Sequence, residues 1–373
     1  MKVAIVGGGI VGLSTAWALK RAGCDVSVIE QGPLPNPLGS SVDQHRLIRY
    51  PYGVQRGYLR MVREAYHAWE RVWSDLKMRL YAETGTLVLS GEGDSWAKQS
   101  CIALAAEEVE HLAFDGETVA GRYPMLNGDG LQDAYYCPSG GLLFAEAIVA
   151  ALSRHLRDRM VTLLTQTKVA GIDASAGIVR LADGGQVQAD RILVAAGPWT
   201  AQLLPDLAPV SRPSRQVVVY LTPPGDLMAA WHAAPMLLEI GETKGFYLVP
   251  PRVTRDGIRT GLKIGAHRFG PTADPSGDRE PRQDEIDALL HNVRHRIMAL
   301  EQYRIAAAKT CFYDVEAEER FQFRQLGPRA FAFCGTSGHG FKFGPVIGER
   351  IAAVLQEKAD FAATARWAAG HVE

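Results

Sequence analysis

The fold is indicated by the stretch Val3-Ala4-Ile5-Val6-Gly7-Gly8-Gly9-Ile10-Val11-Gly12, in which an apolar run meets a glycine-rich turn. A helical pattern follows, and it closes on a second apolar run that ends in Glu30. This order predicts a strand, a phosphate-binding turn, a helix and a second strand. In such a unit Gly7 permits the tight turn, Gly9 lets the backbone approach a pyrophosphate, and Gly12 lets the helix pack closely on the strand.

An acidic residue follows the turn at the distance typical of dinucleotide-binding units. Glu30 stands 18 residues after Gly12, so its carboxylate can accept hydrogen bonds from the two hydroxyls of an adenosine ribose. The N-terminus of the helix adds unpaired N–H groups and a partial positive charge, which favour a pyrophosphate. Because a carboxylate would repel a 2'-phosphate, FAD or NAD fits this unit better than NADP.

The composition is that of a globular chain without a charge imbalance. The chain has 373 residues, a formal net charge of -1 and 47% hydrophobic residues, which predict a soluble protein of two or so domains. A balanced charge is not expected of a nucleic-acid-binding protein. No apolar run approaches the roughly 20 residues that span a bilayer, and the glycines at 7–12 interrupt the stretch that could mimic a secretory signal. We therefore predict a cytoplasmic protein with no membrane or nucleic-acid partner.

The five cysteines form no CxxC pair and no spacing typical of a zinc site. An odd, scattered set suits a reducing compartment, and the default interpretation is that these residues are small buried hydrophobic side chains. We therefore predict no metal site. The cysteines are Cys24, Cys101, Cys137, Cys311 and Cys334.

Strand-like and helix-like patterns alternate along the chain, which predicts the α/β class. The spacing of apolar residues predicts helices over residues 58–76 and 345–356. An apolar strand that runs into a glycine turn is predicted over residues 189–199. A surface loop is predicted over residues 269–282, which are rich in glycine, proline and charge.

Several segments occur in an order that matches a known family. They are the N-terminal unit, Gly39-Ser40-Ser41 with residues 46–53, and then residues 215–218, 261–267, 311–313 and 338–343. Through these segments the chain resembles the monomeric sarcosine oxidase and N-methyltryptophan oxidase family, a group of amine-oxidising flavoproteins in the D-amino-acid oxidase superfamily. The resemblance extends over the whole chain.

The resemblance implies a fold and a division into domains. The expected protein is α/β, with a Rossmann-like FAD-binding domain and an α+β substrate domain whose sheet is mainly antiparallel. The FAD-binding domain is expected to comprise residues 1–76, 141–212 and 316–373. The substrate domain is expected to comprise residues 77–140 and 213–315.

Two arginines and a lysine are candidates for binding a substrate carboxylate. Arg46 and Arg49 would share a face in a helical turn and point opposite ways in an extended segment, so the spacing alone leaves their roles open, and two solvated arginines are the alternative. By resemblance, Arg49 pairs bidentately with a substrate carboxylate, which its planar fork suits, and Arg46 lies against the flavin ring. The resemblance makes Lys342 a second anchor for the same carboxylate.

Residues 262–267 alternate apolar and other side chains, as a half-buried strand requires. Lys263 and His267 would then share one face, with Gly265 leaving room between them. By resemblance, Lys263 lies over the flavin and favours electron transfer to dioxygen, and His267 lines the substrate cavity. The alternative is an ordinary solvated strand face.

Three further residues take roles from the resemblance. Cys311 aligns with the cysteine that carries a thioether to the flavin, although residue chemistry alone favours a buried, inert thiol, and attachment needs a thiolate near the ring. Tyr313 follows at the family's offset and is expected near the reacting atoms. In residues 245–248, Tyr247 or its neighbour Phe246 takes the place of a substrate-contacting tyrosine, and we assign Tyr247.

The complete set of expected site residues is as follows. The catalytic candidates are Lys263, His267, Arg46 and Tyr313, and the substrate-binding candidates are Arg49, Lys342 and Tyr247. The FAD-binding candidates are Gly7, Gly9, Gly12, Glu30, Ser40, Ser41, Arg46, Val169, Gly197, Cys311, Gly338, Gly340 and Lys342.

The implied activity is FAD-dependent oxidation of the C–N bond of an amino acid or secondary amine to an imine, with dioxygen reduced to hydrogen peroxide, by a monomeric enzyme. The sequence departs from the family at residues 41–45, which replace a histidine-rich stretch, and after Cys311, where Glu316, Glu318 and Glu319 occur with Arg320. Sarcosine is therefore not assigned as the substrate. The alternatives are a dehydrogenase that passes electrons to a quinone or carrier protein, a tailoring oxidase of a cyclic imino acid, and a non-catalytic nucleotide-binding protein.

Overall fold

The computed structural model describes residues 1–91, 95–241, 245–254 and 257–372. The α-helices are α1 (Ile10–Arg21), α2 (Arg56–Leu76), α3 (Ser95–Ala106), α4 (Gly116–Arg122), α5 (Ala145–Asp158), α6 (Thr200–Leu203), α7 (Met228–Ala233), α8 (Gln283–Val293), α9 (Gly344–Leu355) and α10 (Phe361–Ala368). Short 3-10 helices cover Gly197–Trp199, Pro205–Val210, Gly225–Leu227, Leu300–Gln302 and Phe341–Phe343.

The β-strands form five sheets in the described part of the chain. They are β1 (Lys2–Val6), β2 (Asp25–Ile29), β3 (Arg46–Arg49), β4 (Tyr81–Glu83), β5 (Thr86–Ser90), β6 (Leu112–Phe114), β7 (Asp133–Cys137), β8 (Gly140–Leu143), β9 (Thr162–Leu164), β10 (Val169–Asp173), β11 (Ile178–Leu181), β12 (Gln186–Gln188), β13 (Arg191–Val194), β14 (Arg212–Thr222), β15 (Met236–Glu239), β16 (Phe246–Val249), β17 (Arg252–Val253), β18 (Arg259–Thr260), β19 (Leu262–Ala266), β20 (Arg304–Val315), β21 (Gln322–Gln325) and β22 (Ala330–Cys334).

The N-terminal strand lies at the centre of a six-stranded sheet in the order β21-β22-β13-β1-β2-β9. Its strands are parallel except for β21, which pairs antiparallel with β22 at one edge. Val3, Ala4 and Ile5 of β1 have no solvent exposure. This agrees with a continuous apolar run, because a central parallel strand is covered on both faces.

The two faces of the six-stranded sheet are covered by different layers. Alternate residues such as Val3 and Ile5 pack against α1, α2, α5 and α9 in one core. The intervening residues, such as Ala4 and Val6, pack in a second core against the antiparallel sheet β10-β11-β12. The carboxyl ends of β1 and β2 therefore meet the N-terminus of α1 at one edge of this layered unit.

A second, eight-stranded sheet has the order β20-β14-β19-β16-β15-β5-β7-β6. Its pairs are antiparallel except for β5 and β15, which run parallel. Side chains on one face, among them Leu262 and Ile264 of β19, pack against α8 in a separate core. The opposite face of β19 carries Lys263 and Gly265, and it faces β3 and the cavities described below.

The α/β class and the mainly antiparallel second sheet are confirmed. The predicted helices correspond to α2 and α9, and the predicted strands to β13 and β19. The alternative of a solvated face on β19 is wrong for Lys263, which is buried together with its neighbours from 262 to 265. We retain as a proposal the division into an FAD-binding domain of residues 1–76, 141–212 and 316–373 and a substrate domain formed by the remaining residues. None of the described helices combines the length and the apolarity needed to cross a membrane.

Candidate active site

The glycine-rich turn is closed by backbone contacts that leave no room for side chains. Gly7 has a φ of +112°, and a Cβ there would lie 2.3 Å from the Ala195 carbonyl oxygen. A Cβ on Gly12 would lie 2.0 Å from the carbonyl oxygen of Gly7. The tight turn and the close packing of α1 on β1 therefore both depend on glycine.

Glu30 stands beside this turn with its carboxylate almost completely buried. One oxygen accepts from the Gly8 N–H at 2.8 Å, and the other accepts from the Gly32 N–H and the Asn36 amide, each at 2.9 Å. These donors hold the carboxylate at the end of β2, next to the N-terminus of α1. This is the position at which a dinucleotide-binding unit binds the adenosine ribose.

An elongated cavity extends from Glu30 along the turn. Its lining includes ten of the residues expected to bind FAD, namely Gly7, Gly9, Glu30, Ser40, Ser41, Arg46, Val169, Gly197, Gly338 and Gly340. Three expected residues do not line it: Gly12 packs inside the turn, Lys342 lies in a neighbouring cavity, and Cys311 lies behind Arg46. We call this space the dinucleotide cavity.

The residues of the dinucleotide cavity fit FAD. Gly9 faces Ser41, whose Oγ lies 3.1 Å from where a Cβ on Gly9 would be, so a side chain at this position would be tightly packed against Ser41. The Ile10 N–H donates to the same Oγ at 2.9 Å, which shows that the first turn of α1 presents N–H donors on this side. An acidic group at one end and N–H donors beside it match a ribose followed by a pyrophosphate.

A second cavity adjoins the dinucleotide cavity, and Arg46, Tyr313 and Gly338 line both. We call it the substrate cavity. It brings together Arg49, Lys342, Tyr247, Lys263 and His267, all expected from the sequence to be substrate-binding or catalytic. Their elements lie far apart in the chain, so the tertiary fold assembles this set.

Arg49 is buried in the wall of the substrate cavity. Its guanidinium lies between two aromatic rings, with Cζ 4.7 Å from the Tyr52 ring centroid and 5.5 Å from that of Trp96. Nη1 donates to the carbonyl oxygen of Pro51. Among the described residues Arg49 forms no ion pair with an acidic side chain, although the Glu319 carboxylate lines the same cavity and interacts with it electrostatically.

Lys342 is the second buried basic side chain of this cavity, and it too forms no ion pair with an acidic side chain among the described residues. Its Nζ donates to the Tyr52 hydroxyl at 2.8 Å and to the His339 carbonyl at 3.2 Å. His339 Nε2 lies 3.0 Å from the Glu319 carbonyl, and its Nδ1 lies 3.3 Å from the Tyr52 hydroxyl. Burial and the nearby Arg49 hold the pKa of Lys342 well below its usual range.

His267 and two tyrosines complete the polar lining. Burial, with a contribution from Arg49 and Lys342, lowers the pKa of His267 to about 4, so the imidazole is neutral near pH 7. Burial raises the pKa of Tyr247 to about 12 and holds that of Tyr313 well above its usual range. His267 is thus one neutral imidazole of the lining that can accept a proton, as are His45 and His339, and the tyrosines stay protonated.

The ring of Tyr247 occupies the space that Gly265 leaves. A Cβ on Gly265 would lie 2.3 Å from this ring, which explains why a glycine separates Lys263 from His267 on β19. Phe246, the other candidate for this position, is completely buried in the core against α8. The structure therefore places Tyr247, and not Phe246, in the substrate cavity.

Lys263 and Arg46 share one buried carboxylate. Lys263 Nζ lies 2.5 Å from Asp43 Oδ2, and Arg46 Nη1 pairs with the same oxygen. Arg46 Nη2 also donates to the Ser40 carbonyl at 2.6 Å and lies 4.0 Å from the sulfur of Cys311. Because β3 is extended, Arg46 and Arg49 lie at opposite ends of one strand, which resolves the spacing alternatives left open by the sequence.

Several residues of the site were not assigned from the sequence. Tyr52 and His339 occur in segments that carry the resemblance, but without a role, and Asp43 and Glu319 belong to the stretches in which the sequence departs from the family. Trp96 and Gln99 come from α3 and also line the substrate cavity. No local pattern marks these two, because an aromatic or amide side chain on a helix has many possible environments.

No group of three or more His, Cys, Asp or Glu side chains in the described ranges could hold a metal ion. The glycine-rich turn with Glu30 and the adjoining cavity lined by Arg49, Lys342 and His267 are the features of a dinucleotide-binding oxidoreductase. The family described as FAD dependent oxidoreductase matches residues 2–354, and the chain belongs to this family.

Comparisons with known proteins extend this assignment. The chain is 27% identical over 361 residues to monomeric sarcosine oxidase of Bacillus sp. (strain NS-129), covering 94% of this chain and 91% of that protein. It is 24% identical over 360 residues to N-methyl-L-tryptophan oxidase of Yersinia pestis (strain Pestoides F), covering 95% and 94%.

Solved structures share the fold at lower identity. NikD, an amino acid oxidase essential for nikkomycin biosynthesis, matches with a TM-score of 0.82 and 22% identity, covering 97% of this chain and 96% of that chain. L-proline dehydrogenase from P. horikoshii matches with a TM-score of 0.81 and 18% identity, covering 100% and 99%. These results confirm the resemblance and an FAD-dependent oxidoreductase.

Proposed function

We propose that this enzyme oxidises the C–N bond of an amino acid or secondary amine to an imine and passes the electrons to dioxygen, which yields hydrogen peroxide. FAD, when bound in the dinucleotide cavity, supplies the two-electron acceptor for this chemistry. The protein's own part is to hold the substrate anion, to remove a proton from its ammonium group and to keep water out.

The observation that carries the proposal is the pair of buried cations in the substrate cavity. Arg49 is 7% exposed and Lys342 is 4% exposed, and neither forms an ion pair in the described ranges. Burial and Arg49 hold the pKa of Lys342 low, so an anion bound between the two side chains would favour the charged form of Lys342. Burying an unpaired charge is costly, so such charges normally bind a counter-ion. A substrate carboxylate is the counter-ion that an amino acid would supply, and a guanidinium binds it with a planar fork.

His267 is the group that we assign to the amine. A substrate ammonium must lose a proton before its C–N bond can be oxidised, and the neutral imidazole can accept it. Burial is the main reason why His267 is neutral, and Arg49 and Lys342 add to it; their charges would also disfavour a protonated amine beside them. Substrate carboxylate and neutral amine are therefore selected by the same two cations.

We further propose that FAD is attached covalently through Cys311. The sulfur lies 4.0 Å from Arg46 Nη2. Arg46 lines both cavities, so this cysteine lies close to their junction. The cytoplasmic location and the monomeric state rest on the sequence and remain predictions.

The proposal is tested by a paired screen under anaerobic conditions. N-methyl, cyclic and primary amino acids are each compared with their methyl esters, and loss of the flavin absorbance near about 450 nm reports oxidation. We expect a free acid to bleach this band and to release peroxide in air, while its ester does neither. If no amine bleaches the band, the proposal is wrong. Bleaching without peroxide in air would identify the dehydrogenase instead.

A further inference from the structure

Asp43 is a buried carboxylate that binds three side chains from three different segments. Lys263 Nζ lies 2.5 Å from Oδ2, Arg46 Nη1 contacts the same oxygen, and the Tyr220 hydroxyl donates to Oδ1. Burial alone would raise the pKa of Asp43, but Lys263 and Arg46 outweigh it and hold this pKa well below its usual range. Asp43 is therefore an anion in the folded protein.

The Asp43 anion supplies the negative charge that balances the positive charges of Lys263 and Arg46. Within the described residues, Asp43 is the carboxylate that forms an ion pair with Lys263 or Arg46. The other titratable groups that face Lys263 are cationic or neutral, and they come from the segment before β3, from β3 itself, and from β14, β16 and β20. They are His45, Arg46, Tyr220, Tyr247 and Tyr313.

We propose that Asp43 is a positioning residue that keeps Lys263 protonated and fixed beside Arg46, and that it thereby maintains the reactivity of the enzyme toward dioxygen. The second part rests on the proposed function. There, dioxygen takes up the two electrons and two protons released when the amine becomes an imine, and leaves as hydrogen peroxide. A protonated Lys263 stabilises the negative charge that forms on oxygen as the first electron arrives.

The physical reason is the close approach of two cations in a buried place. A guanidinium does not lose its proton in a protein, so Lys263 is the group that loses its proton when the negative charge of Asp43 is removed. A buried ammonium beside a fixed positive charge favours its neutral form. Lys263 without Asp43 would keep its place in β19 but lose its charge at a lower pH.

The test compares Asp43→Asn with Tyr220→Phe in the holoenzyme. The Tyr220→Phe variant is the matched control, because it removes one hydrogen bond to Asp43 and leaves both ion pairs in place. Lysine labelled with 13C at Cε gives a signal that reports the protonation of Lys263 as the pH rises, and Lys263→Met assigns that signal. Stopped-flow mixing of the reduced enzyme with dioxygen gives the reoxidation rate over the same pH range.

We expect the measured lysine signal to titrate at lower pH in Asp43→Asn than in the unaltered protein, and reoxidation to slow about tenfold for each pH unit above the new midpoint. The reduction of the enzyme by substrate should change much less. An unchanged titration in Asp43→Asn, or an equal shift in Tyr220→Phe, would overturn the proposal.

If Asp43→Asn does not fold, the double variant Asp43→Asn with Lys263→Met carries the test. Arg46 keeps no ion pair in this double variant, so near-native stability is not required of it. A double variant that folds supports charge compensation of Lys263 by Asp43, and one that also fails to fold contradicts it. The 13C signal of Lys263 can be measured in an enzyme that does not oxidise any substrate. A shifted titration in an enzyme that oxidises no amine would therefore refute the proposed function and leave the coupling of Asp43 to Lys263 standing.

Discussion

Arg49→Lys tests the carboxylate site without removing its positive charge. In the structure one N–H of Arg49 Nη1 donates to the Pro51 carbonyl, so Nη2 and Nε keep all their donors for a ligand. The guanidinium also lies near the rings of Tyr52 and Trp96, with Cζ 4.7 Å and 5.5 Å from their centroids. An ammonium group keeps the charge but has neither the fork nor the planar contact with these rings.

The size of the effect follows from the number of donors. Replacing two parallel charge-assisted hydrogen bonds by one removes about 1.5 to 3 kcal/mol. Because about 1.4 kcal/mol corresponds to a tenfold change in affinity, we expect carboxylate binding to weaken about 10- to 100-fold. Lys342 is left in place, so binding is weakened and not abolished.

Calorimetric titration of the holoenzyme measures this directly. Acetate serves as a carboxylate with no oxidisable amine, and acetamide as its uncharged counterpart. We expect the Kd for acetate to rise in Arg49→Lys, with the flavin still bound and the spectrum retained. Arg71→Lys is the matched control, because Arg71 is a half-exposed surface residue paired with Glu349. Equal Kd values for acetate in Arg49→Lys and the unaltered enzyme would refute the bidentate contact.

Two further predictions concern the dinucleotide cavity. Cys311→Ser should release its yellow cofactor when the protein is denatured and precipitated, whereas the unaltered protein should keep it in the pellet; release from both would contradict covalent attachment. Asp314 accepts from the Ser211 hydroxyl at 2.6 Å and from the Gly335 N–H at 2.7 Å, and burial raises its pKa from 3.8 to about 7. Between these two pKa values the folded state binds a proton that the unfolded chain has released, so the stability that this proton contributes is lost as the pH rises from about 3.8 to about 7. The Tm of the unaltered protein should fall as the pH rises from about 3.8 to about 7, and the Tm of Asp314→Asn should fall less. Parallel Tm profiles of the two proteins would refute the raised pKa of Asp314.

Much of the fold could be predicted from local sequence because its signals are local. The apolar run, the glycines and Glu30 lie within thirty residues, and each acts on its immediate neighbours, so their spacing alone indicates the turn and the dinucleotide cavity. The alternation around Lys263 likewise predicted β19. Alternation does not say what covers the second face of a strand, which is why the solvated alternative stayed open until burial was known.

Less of the site than of the fold could be predicted from the sequence. Arg49, Lys342, Tyr247 and His267 could be suggested through the resemblance, but their meeting in one cavity depends on the packing of β3, β16, β19 and the segment before α9. The role of Asp43 could not be predicted from the sequence. Its role depends on Lys263, which is 220 residues away, and no periodicity or motif relates the two.

The sequence by itself determined the α/β class and the dinucleotide turn, because short-range sterics and apolar periodicity act between neighbouring residues. The tertiary structure alone decided which charges meet. It brought Asp43 to Lys263 and Arg46, and it left Arg49 and Lys342 buried without an ion pair among the described residues. The physical reason is that burial and the local dielectric are properties of the whole packed molecule, and they determine whether a charge is compensated or available to a ligand.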